Sequence, residues 1–231
     1  MSSFKIIQCN LNHCWAAQNL LDQNAIELGA GICAIAEPVR IPSSARWFGS
    51  EDGRAAIRWD PEILQRVCTL IRKGRYYVAV KCGDVKVISC YISPNVDIHC
   101  FLGFLDELTD AVNGLGGKII ICGDFNAKSA LWGSPVTDTR GEYVEEWAAE
   151  HDLRIENIGN APTCVRTQGE SIVDLTWVTP AAIGLVGDWN VRGDVETLSD
   201  HAYIVFSVGS RPRVAGGNEP SRRWNLKKMD K

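Results

Sequence analysis

Six apolar runs in this 231-residue chain end on, or open from, residues able to handle a proton, a phosphate or a cation. Phe4–Cys9 leads into Asn10 and Asn12, Ile32–Ala36 into Glu37, and Val87–Cys90 into Tyr91. Ile119–Cys122 leads into Gly123, Asp124 and Asn126, Ile172-Val173 leads into Asp174, and Ser199-Asp200-His201 precedes the run that starts at Ala202. A strand that is apolar almost throughout crosses the interior, so its terminal polar residue opens at a sheet edge.

Those residue types match phosphodiester hydrolysis. That reaction needs charge neutralised on the phosphoryl oxygens, an oriented water and a stabilised leaving oxygen. Carboxylate and amide oxygens suit Mg²⁺, which keeps several waters and uses few carboxylates. A His next to an Asp can donate to a phosphoryl oxygen while a second, buried Asp fixes its tautomer. No serine or cysteine nucleophile competes, since Ser199 lacks the glycine elbow that would expose it. Taken singly, each residue has an ordinary explanation. An Asp at a strand end forms turns, Asn12 can cap a helix, Tyr91 can be a half-buried aromatic, and His13, His99 and His151 read as surface or capping residues. The chemistry rests on the set.

The elements that must position the set are short strands with helices at intervals. Strands are expected at Phe4–Asn10, Ile32–Ala36, Arg54–Trp59, Tyr76–Cys82, Val85–Ile92, Lys118–Cys122, Ile172–Val178, Leu185–Val191 and Ala202–Val208, each bounded by turn residues. Gly83-Asp84 reads as a tight hairpin. Helical periodicity fits Gln18–Leu28, Ile98–Asn113 and Tyr143–Glu150, with Asp97 as a cap and Phe101, Phe104, Leu105, Leu108 and Val112 on one core face. The pattern predicts an α+β chain, two packed and mostly antiparallel sheets flanked by helices in a four-layer sandwich.

Composition frames this. At 45% apolar and 23% charged the chain is of ordinary globular type, and its size allows about 70% of the extended surface to be buried in one domain. No run suits a signal peptide or a bilayer span, which leads us to expect an intracellular protein away from membranes. The nine cysteines form no Cys-x-x-Cys pair, and Cys9, Cys82, Cys90 and Cys122 sit in apolar runs as core thiols. Net charge is −4, but residues 210–231 carry seven basic against two acidic residues, a net of +5 that leaves −9 for the rest. We therefore expect a domain over 1–209 and a basic linker over 210–231 toward a downstream domain. A body that acidic can still meet a polyanion if its carboxylates hold cations.

In this order the motifs resemble the endonuclease/exonuclease/phosphatase superfamily, to which exonuclease III, the apurinic endonucleases and DNase I belong. They are Gln8-Cys9-Asn10-Leu11-Asn12, Ala36-Glu37-Pro38, Tyr91-Ile92-Ser93-Pro94-Asn95, Gly123-Asp124-Phe125-Asn126, Val173-Asp174-Leu175 and Ser199-Asp200-His201. The stretches Ala127–Ser134 and Thr137-Asp138-Thr139-Arg140-Gly141, with Ala161-Pro162-Thr163, are similar to the endonuclease domains of non-LTR retrotransposons, most of all site-specific arthropod elements.

The resemblance implies a DNase I-like fold and a Mg²⁺-dependent endonuclease, with Mn²⁺ able to substitute. Such an enzyme nicks duplex DNA in the nucleus and leaves a 3′-hydroxyl to prime a reverse transcriptase in the same polyprotein. As an isolated domain it is expected to be a monomer. Glu37 would bind the metal with Asn10 and Asp200 close by, and Asp124 would orient or deprotonate water. Asn126 would hold the phosphate, His201 would donate to it with Asp174 behind, and Tyr91 would contact the phosphate or steady the leaving oxygen. Asn12, Asn95, Lys128, Arg140 and Thr163 are the expected DNA neighbours. Many apurinic endonucleases carry Asp where Asn12 stands. Arg72, Lys73 and Arg75 read as a basic turn between strands. The alternatives are an abasic-site repair endonuclease, a lipid phosphatase of the superfamily, and a silent DNA-targeting module.

Overall fold

Short apolar runs bounded by turn residues become strands, and here most of them are buried on both faces. The computed structural model describes residues 3–209. In chain order these form β1 (Phe4–Asn10), α1 (Trp15–Leu28), β2 (Ala30–Ala36), β3 (Trp47–Gly49), β4 (Ala55–Trp59), the one-turn α2 (Pro61–Leu64), β5 (Cys68–Lys73), β6 (Tyr77–Cys82) and β7 (Val85–Tyr91). Then follow α3 (Ile98–Leu115), β8 (Ile119–Asp124), α4 (Thr139–Glu150), β9 (Arg154–Ile155), β10 (Cys164–Arg166), β11 (Gly169–Ser171), β12 (Asp174–Val178), β13 (Val186–Arg192) and β14 (Tyr203–Val208).

Two six-stranded sheets result, ordered β13-β14-β1-β2-β4-β3 and β5-β6-β7-β8-β12-β9, with β10 and β11 as a separate hairpin. Among the described residues β1–β2 and β7–β8 pair parallel, and every other strand pair is antiparallel. Alternate side chains of each strand serve different layers. Ile6, Ile32, Ile57, Val80, Val87, Ile120 and Phe206 fill the space between the sheets. Ile7, Cys33 and Ile35 turn outward to Ala17 and Leu21 of α1. Ile88, Ile119 and Ile121 turn the other way, to Phe104 and Leu108 of α3 and to Val144 and Trp147 of α4. The layers run helix, sheet, sheet, helices, as the apolar patterning predicts. Each buried aliphatic or aromatic side chain contributes about 1.5–3 kcal/mol.

Strand direction explains why the polar ends meet. In parallel pairs the C-terminal ends lie together, so Asn10 sits opposite Ala36 and Tyr91 opposite Asp124. β12 and β14 run antiparallel to β8 and β1, so their N-terminal ends reach the same rim, with Asp174 opposite Asp124. Beside this rim, hydrogen bonds join the sheets. Gln8 donates to the carbonyls of Leu175 (3.1 Å) and Gly123 (3.4 Å) and accepts from the Thr176 hydroxyl at 2.8 Å. Ser89 donates across the gap to the Ile35 carbonyl at 3.2 Å.

Two expectations are corrected. Arg72 and Lys73 lie inside edge strand β5 rather than in a turn, and Arg72 donates to the Asp110 carbonyl of α3 at 2.9 Å. β5 has apolar residues in Cys68, Leu70 and Ile71, but it lies at the sheet edge and most of its residues are partly or fully exposed. Cys82 is not a free core thiol; it is disulfide-bonded to Cys68, its partner across β5–β6, with Cα atoms 4.7 Å apart. Cys9, Cys90 and Cys122 are free and buried as expected. No helix among the described residues is long and apolar enough to cross a membrane. The expected linker over 210–231 lies outside the described residues.

Candidate active site

The rim is built from tight turns immediately after buried strands. Gly123 lets β8 close on β7, because a Cβ there would meet the Cys90 carbonyl oxygen at 2.3 Å. The next residue, Asp124, is 1% exposed. Its Oδ1 accepts from the Asn126 backbone N–H at 2.9 Å, which holds Asn126 at φ 45°. Its Oδ2 accepts from the Asn10 side-chain amide at 2.9 Å. Burial, and then the charge of Asp174, push the Asp124 carboxyl up to about 7. The Asn126 amide donates to the Ile92 carbonyl at 3.0 Å, fixing its side chain at the mouth of the cleft.

His201 Nδ1 lies 2.8 Å from Asp174 Oδ2, and both side chains are buried. A carboxylate partner makes Nδ1 the donor. His201 Nε2 and Asp174 Oδ1 are buried without a hydrogen-bond partner. Burial alone would depress the imidazole, but the charge and hydrogen bond of Asp174 outweigh it and hold the ring well above the usual histidine range. The segment is anchored by Ser199, whose hydroxyl donates to the Asn10 carbonyl at 2.8 Å, and by Thr197, which donates to the His201 carbonyl at 2.9 Å.

Glu37, at φ 47°, turns back over the rim. Its Oε1 accepts from the Tyr91 hydroxyl at 2.6 Å and its Oε2 from the Asn10 amide at 3.2 Å. Burial, and then Glu37, raise the Tyr91 phenol, so it stays a donor. Asn10 therefore meets both carboxylates through its NH₂ group, while its Oδ1 accepts from the Asn12 backbone N–H at 2.7 Å. It spaces Glu37 from Asp124, and its Oδ1 keeps one lone pair. A cleft of about 290 Å³ opens here, lined by Glu37, Tyr91, Asp124, Asn126, Arg166 and Asp200, with Asn12 and Asn95 at its edge. Its carboxylate and amide donors suit a hard divalent cation, and each Glu37 oxygen keeps a lone pair beyond its single hydrogen bond. Asp124, Asp174 and His201 also bring ligand-type atoms within 4.8 Å of one another. All three are buried and the ring already donates to Asp174, so this trio is set to handle protons.

The outer residues divide. Arg140 donates to the carbonyls of Ser93 (3.1 Å), Pro94 (3.1 Å) and Val96 (2.6 Å), and its guanidinium stacks 4.8 Å from the Phe101 ring centre, while it lines the same cavity as Lys128. It clamps the loop that carries Asn95. Asp138 caps α4 through Gly141 N–H, and a Cβ at Gly141 would meet the Lys128 carbonyl oxygen at 1.9 Å, so Thr137–Gly141 is a packing device. Lys128 lines a neighbouring cavity of about 450 Å³.

Thr163 is corrected. It is 0% exposed, and its hydroxyl accepts from the backbone N–H groups of Val173 (3.1 Å) and Asp174 (3.2 Å), so it sets the start of β12. Thr163→Val leaves two buried donors unpaired, and we expect a stability loss of about 1–3 kcal/mol per donor in denaturant unfolding. A change below about 0.5 kcal/mol, as at a neutral surface site, would contradict this role.

Sequence reasoning missed Arg166 and His13. Arg166, on the exposed hairpin β10–β11, ion-pairs with Asp200, which lies 3.8 Å from His201 Nε2. Neither residue belongs to an apolar run or a motif that would single it out.

Comparison with known proteins agrees with this geometry. Residues 85–205, more than half of the chain, match the family described as endonuclease-reverse transcriptase. The RNA-directed DNA polymerase from the mobile element jockey of Drosophila melanogaster is 28% identical over 146 residues, 60% of this chain but 14% of that protein. The chain thus spans only a small part of that relative. The endonuclease domain of TRAS1, a telomere-specific non-LTR retrotransposon, superposes with a TM-score of 0.79 at 29% identity, covering 90% of this chain and 98% of that one. An AP endonuclease from Archaeoglobus fulgidus shares the fold, with a TM-score of 0.66 at 15% identity over 88% of this chain and 98% of that one. The chain belongs to the endonuclease-reverse transcriptase family, as a LINE-type endonuclease domain of the endonuclease/exonuclease/phosphatase superfamily whose chemistry is phosphodiester hydrolysis.

Proposed function

We propose that this domain nicks one strand of duplex DNA by Mg²⁺-assisted hydrolysis, with Mn²⁺ able to substitute, and leaves a 3′-hydroxyl. The observation that carries this reading is the buried His201–Asp174 pair, whose Nε2 has no hydrogen-bond partner and lies 3.8 Å from Asp200, a residue that lines the cleft. Held cationic by Asp174, His201 donates from Nε2 to a phosphoryl oxygen and offsets the charge that builds there. Asp124 takes the proton of the attacking water, and a carboxyl poised near 7 has the basicity this needs at neutral pH; as the P–O3′ bond breaks, the departing 3′-oxygen takes a proton from solvent water. Asn126 holds the scissile phosphate with its remaining amide N–H. Glu37 holds the cation, with Tyr91 and Asn10 fixing its two oxygens and Asp200 nearby. When bound, the ion supplies positive charge against the phosphoryl and leaving oxygens. Lys128, Asn12 and Asn95 meet the DNA at the edges of the cleft.

In the polyprotein the nick's 3′-hydroxyl primes synthesis by a reverse transcriptase domain, which places the activity in the nucleus. Supercoiled plasmid incubated with the protein and Mg²⁺ tests the reading. The expected product is nicked circle, blocked by EDTA and extendable by a polymerase without end repair. Cleavage confined to abasic duplex would favour a repair enzyme, tight binding without cleavage would favour a silent targeting module, and a 3′-blocked product would remove the priming role.

A further inference from the structure

His13 has no part in the scheme above, yet its Nε2 lies 3.4 Å from Oε1 of Glu37, a residue that lines the cleft. It stands in a turn locked to the Glu37 loop. Leu11 N–H donates to the Ala36 carbonyl and His13 N–H to the Glu37 carbonyl, both at 3.0 Å. Asn12, His13 and Glu37 all adopt left-handed backbone, at φ 45°, 51° and 47°. Such conformations persist in non-glycine residues only where the surroundings enforce them. Gln18 of α1 supplies that enforcement from behind, accepting from Val39 N–H (2.8 Å) and Arg40 N–H (3.2 Å) and donating to the Arg40 carbonyl (2.8 Å).

The ring orientation follows from one contact. His13 Nδ1 lies 3.2 Å from the Pro38 carbonyl oxygen. A carbonyl only accepts, so Nδ1 carries the hydrogen, and the neutral ring presents a lone pair at Nε2. That lone pair faces Glu37 Oε1 at 3.4 Å, and Oε1 is itself an acceptor, already bonded to Tyr91. Two acceptors so placed need a positive centre between them, which is either a proton on Nε2 or a bound cation. The separation exceeds the 2.7–2.9 Å typical of a charge-assisted hydrogen bond. It lies close to the spacing of about 3 Å between adjacent ligands that are each roughly 2.1 Å from one ion. The His13 side chain is 54% exposed and that of Glu37 14%, so an ion held there can keep waters in its remaining positions.

We infer that His13 Nε2 is a ligand, beside Glu37, for the divalent cation of this site. The inference rests on the cation reading above and narrows it, because an imidazole inclines the site toward Mn²⁺ and the later divalent metals relative to Mg²⁺. The nitrogen also ties the ion to the Asn12–His13 turn.

Mn²⁺ titrated into the full chain, followed by electron spin echo spectroscopy for ¹⁴N coupling, is the test. The wild type is expected to show coupling from a directly bound imidazole. His13→Gln, at an exposed position, is expected to lose that coupling and to bind Mn²⁺ about 10-fold more weakly, with a smaller change for Mg²⁺. Coupling that survives His13→Gln and vanishes in His201→Ala would give the nitrogen to His201 and overturn the assignment. Mn²⁺ binding that is weakened by Glu37→Gln, with no nitrogen coupling in the wild type, would overturn the His13 role alone. A wild type that binds no Mn²⁺ would overturn this inference and the cation reading together.

Discussion

His201→Ala lowers the plasmid-nicking rate by about 10²-fold or more, the usual cost of losing a preorganised donor to developing charge. The size follows from the environment. His201 is 1% exposed, so its donor acts where water does not screen it. Its orientation is fixed at both ends, by Asp174 at Nδ1 and by the Thr197–Ser199 turn at the backbone. A pH profile separates this role from a structural one. Asp174→Asn removes the charge that keeps His201 protonated, so activity in that variant falls as pH rises through the ordinary histidine range, where the wild type does not. The linkage has a definite sign. A histidine raised on folding contributes stability that is complete below its unfolded value of about 6.5 and is lost as pH rises through the higher folded value. A His201→Ala enzyme that nicks within threefold of wild type would remove the residue from the chemistry.

Asp124→Asn has the second large effect, a loss of about 10²–10⁴-fold in rate, as expected for removing a general base. Its effect on stability runs the other way. The carboxyl is about 7 in the folded protein against about 3.9 in an unfolded chain. The folded state therefore binds more protons between those values, and this group makes the metal-free protein lose stability as pH rises from 4 to 7. The neutral amide removes that penalty, but it turns an NH₂ toward one of the two donors that Asp124 accepts from, at a cost of about 1–3 kcal/mol. Metal-free Asp124→Asn is thus expected to lack the part of the fall in stability between pH 4 and pH 7 that this carboxyl causes, by thermal unfolding, while being nearly inactive. A fall as steep as that of wild type would contradict the raised carboxyl.

Much of this site could be read from residue order because its strands are buried on both faces. Such strands read as unbroken apolar runs, and the first polar residue after each one marks the rim. Asn10, Glu37, Tyr91 and Asp124 end or follow such strands, while Asp174 and His201 stand at the start of strands that run back from the same rim. What the runs do not encode is how strands pair, and pairing decides the rest. β5 escaped notice as an exposed edge, and with it went the Cys68–Cys82 bond, which depends on which two strands lie side by side. Thr163 and Arg140 lie within stretches similar to retrotransposon endonucleases, but a motif does not say which way a side chain points. Both turn inward to backbone groups. Arg166 reaches the cleft from an exposed hairpin and His13 reaches Glu37 from a left-handed turn, features with no apolar signature. The fold was therefore recovered from patterning, while the division between residues that do chemistry and residues that hold them needed geometry.

Oxygen tracing tests the central claim most directly. Nicking is run in H₂¹⁸O with Mg²⁺ and the new ends are analysed by mass spectrometry. Hydrolysis by a water deprotonated at Asp124 places one ¹⁸O on each new 5′-phosphate and leaves an unlabelled 3′-hydroxyl, with no incorporation in EDTA. Unlabelled 5′ ends, or label on a 3′-phosphate, would contradict the assignment of this rim as a cation-assisted phosphodiesterase.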